Sequence, residues 1–287
     1  MKHFSFWNMK LKILIDNNQA KSNSELLSEH GLSIYLEDGT LSYLFDVGAS
    51  GRWLINARNL GLNVEDIDAL ILSHGHADHT GGLTSFVLQN SKAQVFASDK
   101  IHKYIYSSYR HETPLDLSPR KSVLDEYHSR FIYLDEDYQL SKNIKLVFCR
   151  KGTNPLPEGN KFLFVDEGEG EKPYLADDEI SLAIIINNSL VIISSCSHRG
   201  ILNIIESCIH STGISNIAAF IGGLHLVDIE AGKQDDLHMI ANTIKTKYPD
   251  MVLYTGHCTG KKAYRELKRV LGDSVHKMYS GMTLIMG

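Results

Sequence analysis

Residues 73–79 read SHGHADH and are followed by Thr80-Gly81-Gly82-Leu83. Three histidines and one aspartate therefore fall within six positions, directly after the apolar run of residues 69–72 (ALIL). An apolar run that ends in such a group predicts a buried strand that delivers polar side chains to its carboxyl end. Imidazole and carboxylate groups are ligands for zinc, iron and manganese. The stretch predicts a metal site rather than a histidine-rich surface turn, with four candidate ligands: His74, His76, Asp78 and His79.

The spacing within this stretch divides the candidate ligands into two pairs. His74 and His76 are two positions apart, so in extended backbone they point the same way and can hold one ion. Asp78 and His79 come where the chain turns towards a helix, and they can face a second ion. A site with few protein ligands per ion keeps coordination positions open for water.

Three later apolar runs also end in a histidine. These are residues 191–193 before His198, residues 217–221 before His225, and residues 251–254 before His257. Apolar residues recur at helical spacing after the first and third of these ends, and Gly272 predicts where the last helix stops. Any one of these histidines alone would more often be a structural residue. Because open α/β sheets gather their ligands at strand ends, the four ends together predict one shared pocket.

The motif HGHADH at residues 74–79, with FDVG at residues 45–48 upstream, resembles the metallo-β-lactamase superfamily. Further motifs resemble the branch described as metal-dependent hydrolases of β-lactamase superfamily II, which includes archaeal dihydropterin–ribofuranosylaminobenzene phosphate synthases. They are EHGLS at residues 29–33, INA at 55–57, CSH at 196–198, GGLH at 222–225 and TGHCTG at 255–260. The resemblance covers nearly the whole chain. It implies an α/β (α+β) fold, the αββα four-layer sandwich of two sheets flanked by helices.

The resemblance also implies two divalent metal ions per chain, with zinc as the first choice and iron or manganese as alternatives. In the ligand set that it implies, the first ion is held by His74, His76 and His198, and the second by Asp78, His79 and His257. Many members carry a bridging aspartate where this chain has Cys196. Cys196 is therefore either a thiolate that touches the metals or a buried inert thiol.

Several residues have expected roles near the metals beyond ligation. Asp78 is expected to be catalytic as well as a ligand. His225 lies outside the usual ligand set, and we expect it to bind substrate or transfer protons, against the alternative of a core histidine bonded to backbone. Asp46 is expected to support the metal loop as a hydrogen-bond acceptor. His30 and the Asp16-Asn17 pair match early family motifs and are expected at the pocket edge or in a simple turn.

Composition limits the class of protein. With 43% hydrophobic residues and a net charge of −5, the chain is an ordinary globular sequence without a basic footprint for nucleic acid. Its four cysteines show neither disulfide nor zinc-knuckle spacing, which suits a reducing compartment. Residues 1–4 lack a signal-peptide core, and no apolar run approaches the roughly 20 residues that span a bilayer. A cytoplasmic protein with no membrane partner and a small-molecule substrate is expected, its oligomeric state open and a homodimer included.

The pattern along the chain predicts one domain over residues 1–287, without linkers. Segments near 100–142 and 151–178 give weak patterns and are expected to be irregular lids or inserts that wall the substrate pocket. The first of them is rich in tyrosine. These tyrosines predict either an aromatic wall suited to a flat ring or ordinary packing on a helix.

The function that follows is a metal-dependent hydrolase that uses a metal-activated water on an ester, lactone or phosphoester. Two alternatives share the same ligands. The resemblance to the synthases implies a transferase that condenses a pterin with a phosphoribosyl-type substrate, and a non-catalytic metal-binding module is the third reading. The sequence does not separate them.

Overall fold

In the computed structural model, residues 8–20, 24–150, 152–227 and 234–287 are described. Residues 1–4, where the sequence lacks a signal-peptide core, lie outside these ranges. None of the helices in the described ranges combines the length and apolar character needed to cross a membrane.

Two large sheets form the centre of the fold, each with seven strands among the described residues. In order across the first sheet, the strands are β18 (Thr283–Met286), β1 (Met9–Ile15), β2 (Ser33–Glu37), β3 (Ser42–Phe45), β4 (Ala69–Ile71), β5 (Gln94–Ser98) and β8 (Phe131–Leu134). Across the second they are β17 (Val275–Lys277), β16 (Val252–Thr255), β15 (Ile217–Gly222), β14 (Ser189–Ile193), β13 (Ile180–Ile186), β10 (Ile144–Phe148) and β9 (Tyr138–Ser141). A smaller sheet joins β12 (Glu171–Pro173), β11 (Leu163–Asp166), β6 (Ile105–Ser108) and β7 (Leu115–Asp116).

Strands β4 and β14, which precede His74 and His198, are buried on both faces. In β4, Ile71 packs into the core between the two large sheets, while Leu70 faces the outer helices. In β14, Ile193 faces the same central core and Ile192 faces outward. Because successive side chains of a strand alternate between faces, burial of both faces requires an unbroken apolar run. This is why these strands could be recognised in the sequence.

Helices cover the outer face of each large sheet. The α-helices are α1 (Arg52–Asn59), α2 (Ala77–Thr80), α3 (Leu83–Gln89), α4 (Lys121–Glu126), α5 (Ile201–Thr212), α6 (Gln234–Lys247) and α7 (Lys261–Leu271). Short 3₁₀ helices span Val64–Asp66, Asp99–His102, His128–Arg130, Glu158–Phe162, His257–Thr259 and Gly272–Ser274. Trp53 and Phe86 pack on the first sheet, and Ile205 and Leu267 pack on the second. The layers run helix, sheet, sheet, helix, which confirms the predicted αββα sandwich.

The prediction of irregular structure near 100–142 and 151–178 is wrong in part. Strand β8 belongs to the first large sheet and β9 to the second, and β6 pairs with β11 in the small sheet. These strands are short, and β6, β8 and β11 pair with strands that are distant in sequence. Neither feature produces a local apolar period, so the pattern weakens there although the backbone is paired.

Candidate metal centre

Four strand ends meet at one edge of the sandwich. Strands β14, β15 and β16 are parallel neighbours, so their carboxyl ends point the same way, and β4 of the first sheet brings the loop that begins α2. Three residues of these loops have left-handed backbone: Ser197 (φ 59°), His225 (φ 47°) and His257 (φ 41°). Such conformations cost on the order of 1–3 kcal/mol for residues other than glycine and concentrate at functional sites.

His74, His76 and His198 form a first group, the imidazole cluster. One ring nitrogen of each lies within 4.8 Å of those of the other two, and His74 Nε2 is 3.0 Å from His76 Nδ1. All three residues are buried. Burial lowers the pKa of His76 to about 3, and it lowers the pKa of His74 and His198 well below the ordinary range. The rings are therefore neutral, and each can offer a nitrogen lone pair.

Neighbouring polar groups fix which nitrogen offers that lone pair. Ser73 Oγ donates its one proton to Asp46 Oδ2 (2.7 Å), so it must accept from His74 Nδ1 (2.8 Å). Asn160 Nδ2 donates to the His198 carbonyl (2.8 Å), which leaves Asn160 Oδ1 to accept from His198 Nδ1 (3.1 Å). In both rings the Nε2 lone pair remains.

The Nε2 atom of His198 is the clearest sign that this cluster suits a cation. It is buried, and it has no hydrogen-bond partner within the described ranges. A bare buried acceptor costs about 1–3 kcal/mol. A metal ion held by this atom and by the lone pairs of His74 and His76 would remove that cost.

Asp78, His79, Cys196 and His257 form a second group, the mixed cluster, whose ligand atoms also lie within 4.8 Å of one another. Asp78 Oδ2 is 3.3 Å from His79 Nε2 and 3.5 Å from His257 Nε2. Cys196 Sγ is 3.2 Å from each of the same two nitrogens. The thiol thus takes part in the group, although burial raises its pKa well above the usual value.

The electrostatics of the mixed cluster favour a positive charge at its centre. Burial opposes ionisation of Asp78, but His79 draws the pKa of that carboxyl well below its ordinary value. Burial likewise opposes charge on His79, but the carboxylates of Asp78 and Asp46 raise the pKa of its ring well above the usual range. A divalent cation would supply the positive charge that these groups favour, and the N, O and S donors suit zinc-type metals. Both clusters fit a divalent metal ion.

A chain of hydrogen bonds orients the mixed cluster from the surface. Asn17 Oδ1 accepts from the Gly31 amide (3.1 Å), so it also accepts from His257 Nδ1 (2.9 Å), and the His257 Nε2 lone pair faces the cluster. Asn17 Nδ2 donates to His30 Nδ1 (3.0 Å), which places the His30 proton on Nε2, 3.3 Å from Asp78 Oδ2. His30 and Asn17 therefore fix ligands, a role that their expected place at the pocket edge did not specify.

The Asp46 carboxylate connects the two clusters. Its Oδ1 accepts from the Ser73 amide (2.7 Å). Its Oδ2 accepts from Ser73 Oγ (2.7 Å), His79 Nδ1 (2.9 Å) and Ser195 Oγ (2.5 Å). Because Ser73 sets the tautomer of His74, this single buried carboxylate determines which nitrogen is free in one ring of each cluster.

Three further hydrogen-bonding residues support the ligand loops, and sequence reasoning missed them. Asn160 holds His198, as described above. Asp178, on the approach to β13, accepts from the Gly75 amide (3.3 Å), and Glu179 beside it accepts from the His198 amide (2.8 Å). Asp16 accepts from the Asn18 amide in a turn, which was one of its two expected roles, and it also accepts from the His257 amide at 2.8 Å.

His225 does not join either cluster. Its ring lies 4.2 Å from that of His198 between centroids, and one of its ring nitrogens lies within 4.8 Å of the sulfurs of Cys196 and Cys258. The side chain is buried, and neither ring nitrogen has a hydrogen-bond partner in the described part of the chain. The alternative of a core histidine bonded to backbone through its ring is therefore not what the structure shows.

Both clusters face a cavity of about 540 Å³, a size typical of small-molecule sites. The segments predicted to wall the pocket contribute Ser108, Arg110, His111, Leu115, Asp116, Leu117 and Leu163 to its lining. No tyrosine of the described residues lines it, so the predicted aromatic wall is wrong. Tyr106 is fully buried because its hydroxyl donates to Asp178 Oδ2 (2.6 Å), and Tyr174 donates to Oδ1 of the same carboxylate (2.7 Å).

Comparisons with known proteins agree with this geometry. The family model of the metallo-beta-lactamase superfamily matches residues 29–172. The chain is 30% identical to the 7,8-dihydropterin-6-methyl-4-(beta-D-ribofuranosyl)-aminobenzene-5'-phosphate synthase of Methanocaldococcus jannaschii, over 96% of this chain and 95% of that protein.

Solved structures share the fold. The crystal structure of Tm1679, a metal-dependent hydrolase of the beta-lactamase superfamily, matches with a TM-score of 0.79 and 27% identity, over 96% of this chain and 98% of Tm1679. The metallo-beta-lactamase fold protein YhfI from Bacillus subtilis matches at a TM-score of 0.59 and 14% identity, over 98% of this chain and all of YhfI. The chain belongs to the metallo-β-lactamase superfamily.

Proposed function

We propose that this protein is a metal-dependent hydrolase that acts on an ester, lactone or phosphoester of a small molecule. The observation that carries the proposal is the buried, unpartnered Nε2 of His198, which faces the lone pairs of two neutral histidines at the floor of a cavity. A protein that used these rings only for packing would pair that atom with a donor. The similarity to Tm1679 supports the same class of activity.

The proposal assigns two divalent ions to the two clusters, with zinc as the first choice. His74, His76 and His198 would hold one ion, and Asp78, His79 and His257 the other, with Cys196 within reach of the second. When bound, such ions lower the pKa of a water molecule towards neutrality and stabilise the negative charge that develops on the substrate. Iron or manganese would serve with the same nitrogen and oxygen donors.

Asp78 is the proposed catalytic carboxylate. Its side chain is 18% exposed, whereas the rings of His79 and His257 beside it are fully buried, so Asp78 is the member of that group that borders the cavity most openly. His30 Nε2 donates to Asp78 Oδ2, and this contact orients the carboxylate. In this position Asp78 can orient an attacking water and carry its proton towards the leaving group.

His225 is the proposed substrate-binding residue. It lines the cavity next to His198, and a neutral imidazole offers one donor and one acceptor. Because its ring nitrogens have no partner within the described residues, binding a polar group of the substrate would compensate for their burial. His225 would thereby hold the substrate or pass a proton to it.

A transferase is the second candidate, and a specific finding favours it. The Methanocaldococcus jannaschii relative, which matches this chain nearly end to end, is named as a synthase that forms a pterin–ribofuranosylaminobenzene phosphate. Such a reaction would condense a pterin with a phosphoribosyl-type substrate in the same cavity. It would use the same ligands, so the products and not the residues distinguish the two functions.

The test measures metal content and turnover together. Protein purified without added metal should contain one to two transition-metal ions per chain, and hydrolysis of at least one ester, lactone or phosphodiester should stop on chelation and resume with zinc, manganese or ferrous iron. Incubation with a dihydropterin and a phosphoribosyl-type partner should be analysed in parallel for condensation.

Variants separate ligands from substrate contacts. His76→Ala should lose an ion and all turnover, whereas His225→Ala should keep the metal content and lower kcat or raise KM. Metal without any turnover would favour the non-catalytic module. Protein that holds no metal and gains no activity from added metal would contradict the proposal.

A further inference from the structure

A third group of ligand-type atoms lies beside the two clusters. It consists of Cys196 Sγ, Cys258 Sγ and a ring nitrogen of His225, which lie within 4.8 Å of one another. All three residues are buried, and all three reach the lining of the cavity. The group shares only Cys196 with the mixed cluster. The proposed hydrolysis uses Cys258 in no step.

The backbone around this group is shaped to bring the atoms together. A Cβ at Gly223 would lie 2.6 Å from Cys258 Sγ, and a Cβ at Gly159 would lie 2.8 Å from His225 Nε2, so glycine at both places leaves the room that these atoms occupy. The His225 amide donates to Cys258 Sγ at 3.3 Å, with the backbone of His225 in the left-handed region. The close approach of thiol and imidazole is thus built into both loops.

The His225 ring is the part of this group that lacks a hydrogen-bond partner among the described residues. Both ring nitrogens of His225 are buried without a hydrogen bond to any described residue. Two sulfurs and one nitrogen are the donors that thiophilic cations select, and a tetrahedral zinc ion with such ligands needs them roughly 3.3–3.8 Å apart. The separations of up to 4.8 Å lie within a small side-chain adjustment of that value. The fourth position would face the cavity.

We propose that Cys196, His225 and Cys258 form an additional, inhibitory site for one thiophilic d¹⁰ cation, such as Cd²⁺ or Zn²⁺ in excess. The cation binds both sulfurs as thiolates, and the two thiol protons pass to solvent. Occupation draws Cys196 away from the mixed cluster and engages His225, which the proposed function assigns to the substrate. The site therefore couples a high concentration of soft metal to loss of turnover.

Cadmium is the probe, because thiolate coordination gives it an ultraviolet charge-transfer absorption in proportion to the number of sulfurs bound. Protein that is loaded with zinc and kept reduced with a phosphine is titrated with Cd²⁺, and bound metal is counted by elemental analysis. The wild-type chain should take up one equivalent more than Cys258→Ser, and the charge-transfer absorption that accompanies this equivalent should be absent from the variant. Cys149→Ser, which removes a buried thiol outside this group, should behave as the wild type.

A second variant removes the nitrogen and leaves both sulfurs. His225→Asn suits the left-handed backbone there, since asparagine tolerates that conformation, and it should bind the additional Cd²⁺ at least about tenfold more weakly. Circular dichroism and thermal denaturation identify any variant that does not fold. Equal uptake and equal absorption in the wild type, Cys258→Ser and His225→Asn would overturn the site. That result would leave the metal content and turnover of the proposed function untouched, so the two proposals fail separately.

Discussion

The imidazole cluster and the mixed cluster share one cavity, yet different parts of the molecule hold them. His74 Nδ1 donates to Ser73 and His198 Nδ1 donates to Asn160, and both acceptors are themselves buried. In the mixed cluster, His257 and Asp78 are oriented by Asn17 and His30, which are exposed. Water can compete for the second set of hydrogen bonds but hardly for the first.

The two clusters therefore differ in what fixes their ligands and in which donors they offer to an ion. The imidazole cluster is fixed by the core and offers three neutral donors to an ion. The mixed cluster adds a carboxylate and a thiol, borders the cavity through Asp78 and depends on surface residues. We therefore expect substitutions of surface residues to change the metal affinity of the mixed cluster and to leave that of the imidazole cluster unchanged. Asp46 is the exception, because it serves both.

The largest effect is expected from Asp46→Asn. The Ser73 amide keeps the new carbonyl oxygen at Oδ1, so an NH₂ group replaces the acceptor that faces Ser73 Oγ and His79 Nδ1. Ser73 must then donate to His74 Nδ1, and both His74 and His79 carry their proton on Nε2, the ligand atom. Metal content should fall at both clusters, and turnover should drop by orders of magnitude, as expected when a buried carboxylate no longer fixes a tautomer.

Elemental analysis and single-turnover kinetics measure this outcome. Asp273→Asn, which changes an exposed carboxylate far from the site, is the control. An Asp46→Asn protein with two tightly held ions would show that the two clusters are set independently.

Asn160→Ala should have the next largest effect, and on the imidazole cluster alone. It removes the acceptor of His198 Nδ1, and loss of such a supporting group lowers metal affinity about 10–100-fold. Competition with a chromophoric chelator would give the affinity of each ion. Asn90→Ala is a matched control, because Asn90 is also buried and hydrogen-bonded but lies away from the metals. If both variants lose metal equally, the effect is one of folding and not of ligand orientation.

Asn17→Ala should lower the metal affinity of the mixed cluster only, and by a smaller factor of about ten. The substitution breaks the hydrogen bonds to His257 and His30, but solvent can replace part of them because Asn17 is exposed. The same chelator competition should show the affinity of one ion reduced and that of the other unchanged. A greater loss than in Asn160→Ala would reverse the proposed contrast between a core-held and a surface-held cluster.

The smallest effect is expected for the partly exposed pair of His238 and Glu266, which serves as a comparison for the buried pair of His79 and Asp46. Arg269 and His238 lower the pKa of Glu266 to about 2, below its unfolded value near 4.5. A depressed folded pKa contributes stability above the unfolded value, and this contribution is lost as pH falls from about 4.5 towards 2. Glu266→Gln should lower Tm slightly at neutral pH, the difference should vanish at the acid end, and metal content should not change.

Much of the site could be predicted from the sequence because ligand type and strand position are local properties. His74, His198 and His257 each follow an apolar run within five positions, and the runs before His74 and His198 mark strands buried on both faces. The tyrosines show the limit of such reasoning. The position of Tyr106 is decided by a carboxylate 72 residues away in the chain, which no local pattern reveals.

The residues that orient the ligands could not be predicted for the same reason. Asn160 contacts a histidine 38 positions away, and Asn17 contacts one 240 positions away. An asparagine in an irregular segment predicts a turn on its own. The small sheet escaped prediction likewise, since β6 and β11 pair across distant segments and β7 has two residues. Only the assembled fold shows which polar side chains face a ligand.

The most direct test of this account is a crystal structure of the protein purified without added metal, with anomalous diffraction recorded on either side of the zinc, iron and manganese edges. We predict two anomalous peaks. One should lie within bonding distance of His74 Nε2, His76 Nδ1 and His198 Nε2, and the other between Asp78, His79 and His257. Well-ordered rings with no anomalous peak in the imidazole cluster, in protein that was never exposed to a chelator, would contradict the central claim.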